Sequence, residues 1–397
     1  MIRALFITPI LALGACAGGM VPPASIAAAG TFVAAPACFT DEARLSFDFE
    51  GASAAPCVVG GPRDFTLLIS PEHAPPINPS PWYAFRYEAA EGAPLTLTLK
   101  YLEGRHRYAP KLTNEGGITE IAVRVGPEGK DAVLSLPSGR GTVSAQPILG
   151  PAYYEDLLTR LAADFSARRE DLGRTLDGRA IEGVRMGSPD APHLLILLGR
   201  QHPPEVTGHY AMEPFLEQIG RRLSEDTALS ARYQVVAIPL LNPDGVVHGN
   251  WRANRGGVDL NRDWGAFSQP ETRAVRNWLA SLPSSVRPVM MIDFHSTGRN
   301  LFYVQGDEAS PTQALMIRKW LEGKERAFPG YDFTLEPRNA NPGSGTSKNW
   351  FHETYAIPAI TYEVGDDTSR EAASAAAQSL ADTLFTYLDE LIQTEGR

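Results

Sequence analysis

His202-Pro203-Pro204-Glu205 follows an apolar run at residues 194–198 and the turn Gly199-Arg200-Gln201. A strand ending in His-x-x-Glu at the head of a helix sets an imidazole beside a carboxylate. Those are the donors that hold zinc at the carboxyl end of a strand. Such a pair arises by chance in many chains, so alone it decides nothing. A third donor in the same setting does: His295 closes the run Met290-Met291-Ile292-Asp293-Phe294. Two nitrogens and one carboxylate leave the fourth tetrahedral position open for water, which marks a catalytic zinc site rather than a structural one. The expectation is one zinc per chain, held by His202, Glu205 and His295. His193, His209, His248 and His352 lack a comparable setting and read as surface residues.

Around these donors stand Asn242-Pro243-Asp244-Gly245, Asn250-Trp251-Arg252, Gly257-Val258-Asp259-Leu260-Asn261-Arg262 and Ile360-Thr361-Tyr362-Glu363-Val364. In this order the motifs resemble the zinc carboxypeptidase family typified by carboxypeptidase A. The spacing of Arg252 to Asn261-Arg262 is most similar to the cytosolic carboxypeptidase branch. The resemblance runs from about Pro151 to the C terminus and is only general over the first third.

The resemblance implies a role for each motif. Asp259 would accept from the second ring nitrogen of His202 and fix its tautomer. Glu363 would be the general base that later protonates the leaving amine. Arg252 would stabilise the carbonyl oxyanion. Asn261 and Arg262 would bind a free terminal carboxylate, a task for a planar bidentate donor. Lys348, in Gly345-Thr346-Ser347-Lys348-Asn349-Trp350, stands close to where family members carry the base of their specificity pocket. A lysine there implies a preference for C-terminal Glu or Asp. The plainer alternative is that Lys348 opens a helix at residues 349–355 and points to solvent. One family feature is missing: no tyrosine occurs in Asn339-Ala340-Asn341-Pro342-Gly343, where a flap tyrosine would stand, and neither Tyr331 nor Tyr355 matches it.

The elements that must position these residues follow from periodicity. Continuous apolar runs at 194–198, 235–241, 289–294 and 359–362 read as strands buried on both faces. Helical spacing recurs at 153–168, 206–223, 271–282, 313–326 and 371–392. Such alternation indicates an α/β fold with a mixed, mostly parallel sheet and helices on both faces. Ligands in such sheets sit beyond the strand carboxyl ends, where His202, His295 and Glu363 fall. Residues 38–149 instead show short period-two strands separated by Pro and Gly, as in an antiparallel β-sandwich. No cluster in that region reads as catalytic; His73 and His106 are isolated. The expected organisation is a β-rich domain at 38–149 and a catalytic domain at 150–397.

The chain has 397 residues and a formal net charge of −10. The acidic balance argues against nucleic acid or an anionic membrane surface as partner, since either needs a basic face. Met1-Ile2-Arg3 precedes an apolar stretch at 4–13 too short to span a bilayer. Leu13-Gly14-Ala15-Cys16 then resembles a bacterial lipobox, with residues 1–16 as signal peptide and Cys16 as the lipid attachment site. An ordinary secretory signal is the alternative. Residues 17–37, rich in Ala, Gly and Pro, read as a flexible tether. The chain would thus be exported, facing the periplasm or cell exterior, and would touch the membrane only through the anchor. Cys38 and Cys57 could form a disulfide there or remain free thiols.

Together these readings imply an exported zinc metallocarboxypeptidase acting on peptides. A cell-wall (murein) peptide amidase or carboxypeptidase is an alternative within hydrolases. A binding module that kept the fold and lost turnover is the alternative from another class.

Overall fold

The computed structural model describes residues 38–74, 78–338 and 343–396. Cys16 and the expected tether lie outside them.

The N-terminal part packs two sheets over one core. In the six-stranded sheet every pairing is antiparallel, and Cys38–Phe39 and Ala43–Ser46 lead into the long strand Ala84–Ala89. In the five-stranded sheet Asp64–Ile69 runs parallel to Leu95–Tyr101, a departure from the antiparallel sandwich expected. Leu95, Leu97 and Leu99 point inward and Thr96 and Lys100 outward, the period-two pattern of a strand covered on one face. The inner faces bury Leu45, Phe85 and Val143 against Phe65, Leu67 and Leu134. Cys38 and Cys57 are joined by a disulfide between the first strands of the two sheets.

From Pro151 the chain builds an eight-stranded mixed sheet. Its strands are β1 (Arg168–Arg174), β2 (Ala180–Gly187), β3 (His193–Gly199), β4 (Tyr233–Ile238), β5 (Arg287–Thr297), β6 (Leu301–Val304), β7 (Thr334–Pro337) and β8 (Ala359–Gly365). Their order is β1-β2-β4-β3-β5-β8-β6-β7. Four pairings (β4-β3, β3-β5, β5-β8 and β6-β7) are parallel. The other three are antiparallel, so the sheet is mixed and parallel in the majority, with an unbroken parallel stretch β4-β3-β5-β8 at the centre.

The apolar runs are continuous because both faces are covered. Leu195, Leu197, Val235, Ile292 and Ile360 face helices α1 (Pro151–Asp164), α2 (Val206–Glu225) and α3 (Arg370–Glu395). Leu194, Ile196, Val236 and Met291 face Val275 and Leu279 of helix Pro270–Ala280 and Phe351 of helix Ser347–Tyr355. The sheet's central strands are parallel, so their carboxyl ends open on one side. His202, His295 and Glu363 emerge there.

Two local choices fix the approach of α2 to that edge. A Cβ on Gly208 would lie 2.7 Å from the backbone oxygen of His295, so only glycine lets the first turn of α2 rest against β5. Asn242, at the end of the β4 connection, donates to the Gln201 carbonyl at 2.9 Å and caps a short helix through the Gly245 amide. The turn before His202 is thereby held from a neighbouring loop.

Candidate active site

Glu205 sits at the N terminus of α2 and faces both histidines. Its Oε1 is 2.9 Å from His202 Nδ1 and its Oε2 is 2.7 Å from His295 Nδ1. One donor atom from each residue lies within 4.8 Å of the others, and all three residues are buried. The far nitrogen of each ring points to its own carboxylate. His202 Nε2 is 2.9 Å from Asp259 Oδ1, and His295 Nε2 is 2.9 Å from Asp293 Oδ2. Each imidazole is therefore oriented by an outer acid while its Nδ1 turns inward.

These donors suit zinc on chemical grounds. The two imidazoles and Glu205 offer nitrogen and carboxylate oxygen in a buried pocket, with outer carboxylates fixing both rings. The surrounding acids leave positive charge in demand: Glu205 and Asp293 hold His295 well toward its protonated form, against the opposing effect of burial. A field that favours a proton between these groups favours a dication there too.

Glu363 is the register partner of His295 on the adjacent parallel strand. It opens into the same cleft, and its Oε2 has no hydrogen-bond partner among the described residues. Burial lifts its pKa to about 7 against the pull of His295, while Glu205 adds to the rise. Arg252 is buried and donates from Nε to Asp259 Oδ2 at 2.6 Å. Its Nη1 stands 4.0 Å from Glu205. Asp259 thus serves His202 with one oxygen and Arg252 with the other, and its pKa is held far below the usual carboxylate range by these two neighbours against burial. Asn261 is buried beside His295, whereas Arg262 is exposed at the cleft mouth with Nη1 donating to the Asn261 carbonyl at 2.6 Å.

Lys348 lies in the first turn of helix Ser347–Tyr355 but does not point to solvent. It is 3% exposed and lines the cleft, and Nζ donates to the carbonyls of Arg338 at 2.8 Å and Val304 at 3.2 Å. Burial lowers its pKa to about 8.

The cleft, of about 300 Å³, contains residues that sequence reasoning passed over. Tyr303 and Arg338 stand on its wall, their side chains stacked with the guanidinium carbon 5.2 Å from the ring centre. Tyr331, which flanks the missing flap tyrosine in sequence, is instead fully buried in the core. Asp293 was detectable: it stands two residues before His295 on one strand, so both point to the same face. Loops of the N-terminal part contribute Asn78, Ser80 and Arg107 to the lining, although nothing in residues 38–149 reads as part of a site in sequence. One reading of surface position is also corrected. His209 is buried, with Nε2 3.2 Å from the Tyr153 hydroxyl. Asp366 is buried against Arg107, because the N-terminal part covers that edge.

Residues 154–385 match the zinc carboxypeptidase family model of peptidase M14. Among curated proteins, the chain is 32% identical over 164 residues to an uncharacterized protein of Zymomonas mobilis, covering 40% of this chain and 38% of that protein. It is 32% identical over 171 residues to cytosolic carboxypeptidase 2 of Danio rerio, covering 40% of this chain and 23% of that one. The matches thus span less than half the length of either relative. A metallo-carboxypeptidase from Burkholderia cenocepacia superposes with a TM-score of 0.73 at 18% identity, over 88% of this chain and 99% of that one. One from Pseudomonas aeruginosa, solved in complex with (2-guanidinoethylmercapto)succinic acid, gives 0.68 at 21% identity, over 87% and 99%. These two likenesses establish a shared fold across both parts of the chain. The family match takes in the whole central sheet and every residue around the His202–Glu205–His295 centre on that sheet, and the chain belongs to the zinc carboxypeptidase family.

Proposed function

We propose that the protein is a zinc-dependent metallocarboxypeptidase that hydrolyses the C-terminal peptide bond of peptides. The observation that carries this reading is the convergence of His202, Glu205 and His295 with Glu363 placed beside His295 by strand register. Bound zinc would supply Lewis acidity toward the scissile carbonyl and acidify a water. His202, Glu205 and His295 hold the ion, with Asp259 and Asp293 fixing the two rings. Glu363 takes the proton from the attacking water at its unpartnered Oε2 and returns it to the leaving amine. Burial raises its pKa and the bound cation would lower it, opposing effects that suit a group that must both accept and donate. Arg252 presents its guanidinium to the developing oxyanion, a contribution worth roughly 3–4 kcal/mol per donor. Asn261 and the exposed fork of Arg262 receive the terminal carboxylate.

Lys348 and Arg338 make one wall of the cleft cationic, which favours a departing Glu or Asp side chain. The same chemistry suits D-glutamyl groups of cell-wall peptides, so murein peptides stand as the second candidate substrate class. Incubating zinc-loaded protein with linear and cell-wall-derived peptides and weighing the products tests the reading. Loss of one C-terminal residue supports it. Internal cleavage, or no cleavage of any member, contradicts it.

The placement of the enzyme follows from the lipobox-like Leu13-Gly14-Ala15-Cys16. We read it as the anchor of an exported lipoprotein. No helix among the described residues is long and apolar enough to cross a membrane. Cys16→Ser should release a soluble or unprocessed form, and wild-type protein recovered from the cytoplasm with Met1 intact would refute the anchor.

A further inference from the structure

The loop that carries Arg252 is gripped from outside the central sheet. Trp251, the residue before it, is 1% exposed and packs in the core of the N-terminal sheets, its indole Nε1 donating to the Trp82 carbonyl at 3.1 Å. Glu72, from the same N-terminal part, closes over the next turn. Its Oε2 accepts from the Trp251 amide at 2.8 Å, and its Oε1 accepts from the Arg252 amide at 3.0 Å and the Ala253 amide at 2.6 Å. Three consecutive N–H groups directed at one carboxylate form charge-assisted bonds, stronger than neutral ones. The guanidinium end of Arg252 is fixed separately by Asp259, which also orients His202. Arg252 is therefore held at both ends, and one end depends on a residue about 180 positions away in sequence.

We propose that Glu72 is a positioning residue for Arg252, through which the N-terminal sheets complete the active site. A guanidinium meant for a developing oxyanion must stand in place before the reaction, and small misplacements of such groups cost large factors in rate. Glu72 fixes where the Arg252 side chain starts, and Asp259 fixes where it ends. Glu72 is itself solvent-exposed, so replacing it leaves no buried charge unpaired. The inference rests on the metallocarboxypeptidase reading, in which Arg252 faces the oxyanion.

The test compares wild type, Glu72→Gln, Glu72→Asp, Arg252→Ala and the Glu72→Gln/Arg252→Ala double variant, all zinc-loaded. It reads kcat and KM on one cleaved peptide, zinc content, and amide hydrogen exchange across residues 250–254. Glu72→Gln should lower kcat on the order of tenfold, leave KM and zinc unchanged and speed exchange in that segment. Glu72→Asp should recover part of the loss. In the Arg252→Ala background Glu72→Gln should cost nothing further, because its effect passes through the missing guanidinium. Wild-type kcat in Glu72→Gln, unchanged exchange at 250–254, or an undiminished further loss in the double variant each overturns the proposal. A zinc-loaded wild type that cleaves no peptide removes the carboxypeptidase reading and this proposal with it. The exchange measurement needs no turnover and tells the two failures apart.

Discussion

His295 Nε2 lies 2.9 Å from Oδ2 of Asp293, two positions earlier on β5. The same carboxylate also accepts from the side chains of Gln201 and Ser347, which tie it to the loop before His202 and to helix Ser347–Tyr355. Asp293 is fully buried and its Oδ1 has no partner among the described residues, so the aspartate is committed to this one corner. Asp293→Asn keeps size and removes the charge that sets the His295 tautomer. Zinc affinity should fall about 10- to 100-fold, as for other carboxylates behind a ligating imidazole. Competition with a chelator of known affinity measures it, and a wild-type affinity in the variant would show that Asp293 does not support the metal.

Lys348 offers a selectivity test with its own pH signature. Peptides ending in Glu should be cleaved with a higher kcat/KM than matched peptides ending in Leu. Lys348→Met should erase most of that ratio, since breaking a desolvated charge pair costs roughly 2–5 kcal/mol. Burial sets the lysine's pKa at about 8, so its charge is lost as pH rises through that value. The wild-type preference for Glu should fade above it. Equal cleavage of the two peptides, or an unchanged ratio in the variant, would release Lys348 from this role.

Glu271, which is not a metal donor, gives a pH dependence of stability. It is fully buried at the start of helix Pro270–Ala280, with Oε2 accepting from Asn254 at 2.9 Å and Oε1 without a side-chain partner among the described residues. Burial raises its pKa to about 7, and Asp244 and Asp263 add to the rise. A folded pKa above the unfolded value of 4.5 means the native state holds the proton more tightly. That stabilisation is complete below 4.5 and is lost as pH rises to about 7. The loss is on the order of 3 kcal/mol at about 1.4 kcal/mol per pKa unit. Glu271→Gln, which mimics the protonated acid, should gain in Tm relative to wild type across this window. A Tm difference that stays constant from pH 4 to pH 8 would contradict it.

Much of this architecture was legible because one physical circumstance leaves one pattern. β3, β4, β5 and β8 are covered on both faces and read as unbroken apolar runs. Residues at their carboxyl ends became the candidate metal centre. β1, Arg168–Arg174, carries five charged residues at the sheet edge and shows no apolar alternation, so it passed as part of a helix and loop. The short β6 and β7 likewise lack the length to declare a period, and with β6 went Tyr303. Glu72 and Arg107 were invisible for a different reason. Their partners lie 180 and 259 positions away, and no local spacing encodes a contact made only when two parts of the chain meet. Asp293 was visible in principle, because period-two alternation places it on the face of His295.

The proposed chemistry divides labour between His295, which would hold zinc, and its neighbour in register, Glu363, which would move the proton. Measuring zinc content and peptide turnover together in His295→Ala and Glu363→Gln tests it most directly. His295→Ala should lose both metal and activity. Glu363→Gln should keep one zinc per chain while kcat falls by about two to four orders of magnitude, the usual worth of a positioned general base. Full zinc in His295→Ala, or near wild-type turnover in Glu363→Gln, would contradict the account.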